Sequence, residues 1–80
     1  MLSLEYCIEH ADELAADAAN AWAVQFISYN AADIPSEFKA VLDANDQYQS
    51  AKNTSNEVKA RRAFARAYMA YRNKQDEGEA

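Results

Sequence analysis

Apolar side chains recur along residues 4–29 at steps of three and four: Leu4, Cys7, Ile8, Ala11, Leu14, Ala15, Ala18, Ala21, Trp22, Phe26 and Tyr29, with Gln25 as a polar member. At 100° per residue these positions form one stripe, which predicts an amphipathic helix opened by the hydroxyl of Ser3. At 1.5 Å per residue such a helix would be roughly 40 Å long. Its second half changes character. Val24 and Ile27 fall opposite the stripe, so Ala21 to Ile27 is apolar nearly all round. A segment of that kind is expected to be covered on two sides, by the other helices or by a second copy.

The first break is Asn30-Ala31-Ala32-Asp33-Ile34, followed by Pro35. Proline in the first helical turn, with Glu37 near the positive helix end, predicts a second helix over 35–51. It carries Ile34, Phe38, Val41, Leu42, Asn45 and Tyr48 on one side. The second break is Asn53-Thr54-Ser55-Asn56-Glu57, where Thr54 and Glu57 have the spacing of a capping box. A third helix is predicted over 55–74, with Ala60, Ala63, Phe64, Ala67, Tyr68, Ala70 and Tyr71 as its apolar face. Residues 75–80 read as a flexible acidic tail after a single domain over 1–74. The expectation is an all-α fold of three helices, closed as a small bundle or extended as a helical dimer.

Composition narrows the alternatives. The chain has 80 residues with one glycine, at position 78, so tight hairpin turns that need positive φ have no residue to supply it. At this size only about 60–65% of the unfolded surface is buried on folding, which makes stability modest or shared with a partner. Cys7 has no intramolecular disulfide partner, and a lone thiol suits a reducing compartment. No basic leader precedes an apolar run, and no apolar stretch is long enough to span a membrane, so a cytoplasmic location is expected.

Charge is segregated along the chain. Residues 1–46 hold nine acids and one base, a net −8, whereas residues 47–80 hold four acids and seven bases, a net +3; the sum is the total of −5. Glu5, Glu9, Asp12, Glu13 and Asp17 step by three and four opposite the apolar stripe. Such a face can be an ordinary solvated surface. It can also occupy a basic site on another protein, including one built to grip a phosphate backbone. On the third helix Lys59, Arg62 and Arg66 form a basic face with Tyr68 and Tyr71 nearby, the alternative being nucleic-acid binding. The acidic balance of the whole chain opposes that alternative.

Chemistry-bearing motifs are sparse. Cys7, His10 and Glu13 follow one another on one helix face, a spacing that suits a metal or a nucleophile–base pair only if further ligands are found. Cys7 also sits on the apolar stripe, where a small buried hydrophobe is expected. No glycine-rich phosphate loop, paired-cysteine motif or nucleophile elbow is present. The expected protein is therefore not an enzyme and carries no cofactor or metal. It is a small acidic interaction module, homodimeric in one form, that binds and modulates, in an inhibitory sense, a larger protein. The back of the first helix, with Tyr6, Val24 and Ile27, is the expected apolar interface.

Overall fold

Ser3 does open the first helix, its Oγ accepting the amide of Tyr6 at 3.1 Å. A computed structural model describes residues 2–79, with the side chains of Ala31 and of 77–79 outside the description. Four α-helices follow in order: α1 (Leu4–Glu9), α2 (Ala11–Ala21), α3 (Ser36–Ala51) and α4 (Glu57–Glu79). A π-helical turn (Trp22–Phe26) extends α2, and a 3-10 turn (Ala31–Asp33) precedes α3. There is no strand among the described residues. The all-α expectation therefore holds, with one helix more than the three expected.

The extra helix comes from a break in the predicted 4–29 segment. At His10 the backbone leaves helical geometry, with φ −106° and ψ 24°. A continuous helix would offer the carbonyls of Ile8 and Glu9 to the amides of Asp12 and Glu13. Instead Arg61 of α4 donates to both: Nε to the Ile8 carbonyl at 2.6 Å and Nη2 to the Glu9 carbonyl at 2.9 Å. The guanidinium fork thus satisfies helix-end acceptors that would otherwise lack partners, and α1 packs onto α4.

Beyond Ala21 each backbone bond of the π turn spans five residues, which shifts the side chains that follow out of α-helical register. Phe26 turns inward and is buried, its ring 4.5 Å from that of Phe38. Val24 and Ile27 stay outside, 72% and 63% exposed. The expected two-sided covering of Ala21 to Ile27 is therefore not made within one chain.

The connection from α3 to α4 is a correction in detail. Asn53 takes the left-handed conformation, φ 66°, just past the end of α3. Asparagine tolerates this region better than most residues, so a chain with no glycine near this break still stops its helix there. The capping box does not form. Thr54 Oγ1 donates to the Ala51 carbonyl and accepts the amide of Asn56 at 3.2 Å, closing a local turn, and α4 begins with the amide of Ala60 on the Asn56 carbonyl at 2.9 Å. α4 then runs to Glu79 rather than to about residue 74, so the expected tail is helical as far as the description reaches; position 80 lies outside it.

α3 and α4 form a helical hairpin, α1 packs on α4, and α2 contacts both α3 and α4. Aromatic rings carry the core. Phe38 contacts Phe26 and, at 5.1 Å, Tyr71; Phe64 lies 6.0 Å from both Tyr48 and Tyr68. On α4 the buried arc differs from the one expected. Ala65 is buried while Ala63 and Ala70 face solvent. With α1 packed on one side and α3 on another, the arc rotates toward Arg61 and Ala65. The radius of gyration, 12.5 Å, is close to the ~12 Å of a closed chain this long, so the helices form a bundle.

Candidate interaction surfaces

Three groups of side chains on the surface bear on function, and a fourth is built around a buried ring. That fourth group is the polar cluster near the break at His10, where Asp12 and Lys52 meet the buried Tyr48. The hydroxyl of Tyr48, on a fully buried side chain, donates to Asp12 Oδ1 at 2.7 Å. Lys52 Nζ pairs with the same carboxylate oxygen at 3.0 Å and lies 5.0 Å from the centre of the Tyr48 ring. Arg61 Nη1 reaches the Tyr48 hydroxyl at 3.4 Å. The hydrogen bonds from Tyr48 and then Lys52 hold the Asp12 carboxyl below its ordinary pKa. Burial, and next the bond to Asp12, push the Tyr48 phenol up.

Asp12 therefore differs from the other acids of its expected face, because it is committed to holding α2 against α3. Its titration has a definite sign. A carboxyl whose pKa is depressed by folding stabilises the fold above its unfolded value near 3.9, and that contribution is lost as pH falls through the folded value. Asp12→Asn is expected to cost up to about 1 kcal/mol at pH 7, the range for solvent-screened pairs. At about pH 2, on the acid side of the unfolded value, the difference between variant and parent should be smaller. Urea titrations at both pH values test this; an equal difference at the two would contradict it. The same window contains Glu37, whose carboxyl is lowered chiefly by Lys74, 3.0 Å away, so the comparison must be made between variant and parent.

The remaining acids, Glu5 and Glu9 on α1 and Glu13 and Asp17 on α2, are all exposed. Because the chain breaks at His10, they belong to two short helices and not to one continuous row. Glu13 lies 3.6 Å from His10 Nδ1, and the His10 ring packs on Tyr6 at 4.3 Å. On α4, Lys59, Arg62 and Arg66 are exposed, and none forms an ion pair among the described residues.

Three of the exposed large apolar side chains, Val24, Ile27 and Tyr29, lie in or just after the π turn, while Val58, 76% exposed, stands apart on α4. Tyr29 is 49% exposed and sets its ring edge-on to Phe26 at 5.2 Å. Val24 also borders a groove of about 330 Å³ between α2 and α4, with Ala18 and Ala21 on one wall and Tyr68 and Tyr71 on the other. Arg72 and Gln75 rim it by donating to the Tyr68 and Tyr71 hydroxyls, at 2.9 and 3.0 Å. Tyr6, although 45% exposed, sits on α1 against His10, and α1 makes no contact with the π turn. The spacing of Tyr29 matches the apolar stripe, yet its side chain is at the surface.

Cys7 is fully buried, and burial raises its thiol pKa, the opposite of what activates a nucleophile. Among the described residues no three His, Cys, Asp or Glu side chains are grouped to hold a metal ion. No described helix is long and apolar enough to cross a membrane. By helical spacing Arg61 lies on the edge of the apolar face of α4. That position is the available signal for a cation that reaches across to a neighbouring helix end. Comparison with known protein families, curated proteins and solved structures returns no match.

Proposed function

We propose that this chain acts by contact, as a small acidic module that binds and modulates a larger protein, inhibiting it where the bound site is basic. The observation that supports this most is the pair Val24 and Ile27. These large aliphatic side chains are 72% and 63% exposed at the π turn, in a fold that buries phenylalanine and tyrosine rings elsewhere. Apolar side chains surrounded by polar surface are the ordinary core of an interface. The exposed acids Glu5, Glu9, Glu13 and Asp17 supply the field that steers a basic partner toward it. Catalysis and a bound cofactor have no part in this reading. The lone thiol fits a reducing, cytoplasmic setting.

The test begins with a tagged pull-down from source lysate with and without nuclease, followed by association kinetics with the protein recovered. Glu9→Lys with Glu13→Lys should slow association about tenfold at 0.1 M salt, and raising salt should slow the parent in the same way. Arg62→Glu with Arg66→Glu should leave that association intact or faster. Retention that disappears with nuclease, together with loss of binding in the Arg62/Arg66 variant, would replace the proposal. In that case the exposed bases Lys59, Arg62 and Arg66 of α4 would be a nucleic-acid surface.

A further inference from the structure

We infer that residues 2–9 form an arm, hinged at His10, that detaches from α4 as a unit while the rest of the fold stays closed. The hinge residue is the one place between Leu4 and Ala21 where the backbone leaves helical geometry. On its far side the chain is pinned at once, since Asp12 in the first turn of α2 is held by Tyr48 and Lys52 of the α3 end. On its near side α1 has six residues, too few to keep a helix without tertiary support, and it packs on α4 without reaching α3.

Leu2, Leu4 and Ile8 of the arm pack half-buried against the core, and three specific points fix it further. At its C-terminal end Arg61 grips the carbonyls of Ile8 and Glu9. At its start the amide of Leu2 donates to Asn73 Oδ1 at 3.2 Å. Between these, Cys7 plugs the core with no exposed surface. The remaining rings need none of this. Phe26, Phe38 and Tyr71 pack together, as do Tyr48, Phe64 and Tyr68, and all six belong to elements beyond the hinge. Opening therefore loses the arm's own contacts and uncovers the face of α4 beneath it, leaving the α2–α3–α4 core in place. The arm is a latch over that face, with Arg61 as its catch, and its existence does not depend on the proposed function.

Cys7 reports the motion, because its buried thiol can react only when the arm is open. Alkylation of the full chain by iodoacetamide, read by mass spectrometry across a urea series, is compared with global unfolding read by far-UV circular dichroism. In the parent, alkylation without urea should run at least about tenfold faster than global unfolding allows, with a shallow urea dependence because little surface is exposed. Arg61→Ala removes a charged donor from two carbonyls and should speed alkylation about tenfold beyond any change in global stability. Asn73→Ala, which removes one neutral bond, should speed it about threefold with the global midpoint unmoved. Alkylation that follows global unfolding across the whole urea range, in the parent and in Asn73→Ala alike, would overturn the inference even if Arg61→Ala does not fold.

Discussion

Phe38→Ala is expected to remove close to half or more of the folding free energy. Phe38 is fully buried where α3 meets α4 and the π turn, with rings of Phe26 and Tyr71 at 4.5 and 5.1 Å. Truncating a phenylalanine in such a place costs about 3–5 kcal/mol, the sum of lost transfer energy and the cavity left behind. A chain of 80 residues has about 4–12 kcal/mol of stability to lose. The rings of Phe26 and Tyr71 around it are held by contacts of their own, with Tyr29 and with Tyr68 and Gln75, which limits how far they can move into the space. The urea midpoint should fall by at least about 1 M, given slopes of about 1–3 kcal/mol per M for small proteins. A fall below about 1 M would mean that α3, α4 and the π turn do not meet at Phe38 in solution.

Ile27→Asp is expected to have the largest effect on binding and almost none on the fold. Ile27 follows the π turn and is 63% exposed, so a charge there meets water and not the core. Surface substitutions of this kind change stability by about 0.5 kcal/mol or less. At the centre of an interface the same carboxylate is desolvated without a partner, and losses of about 2 kcal/mol or more, roughly thirtyfold in Kd, are usual at such positions. Helicity by circular dichroism should match the parent while affinity for the partner falls. Sedimentation of the same variant separates the two uses of the patch: an assembly of two copies would dissociate, whereas a monomer would keep its mass. Unchanged partner affinity and unchanged mass together would remove Val24 and Ile27 from any interface.

Much of the candidate surface was readable because exposure follows from helical spacing. Val24 and Ile27 lie opposite the apolar stripe by angle alone, and they are outside in the fold. Glu5, Glu9, Glu13 and Asp17 are exposed for the same reason. Asp12 obeys the same spacing, yet its carboxylate is taken by Tyr48 and Lys52, partners 36 and 40 positions away that no local pattern reveals. Tyr6 shares the back of the first segment with Val24 and Ile27 only if that segment is one helix. The break at His10 removes the premise, and Tyr6 packs on His10 instead.

What the sequence determined by itself is the helical class, the two long breaks and the aromatic core. These depend on short-range rules: three- and four-residue spacing, the absence of glycine before position 78, and Pro35 and Asn53 at the ends of segments. What only the tertiary structure decided is where helices stop without a breaker residue and which way they then turn. His10 is neither glycine nor proline, and the chain breaks there because Arg61, 51 positions later, satisfies the carbonyls that the break releases. The buried arc of α4 is likewise set by which helices lie against it, so Ala65 is inside and Ala63 outside. Spacing specifies a face within one element, but the energy that ends a helix or rotates its buried side comes from a neighbour distant in the chain.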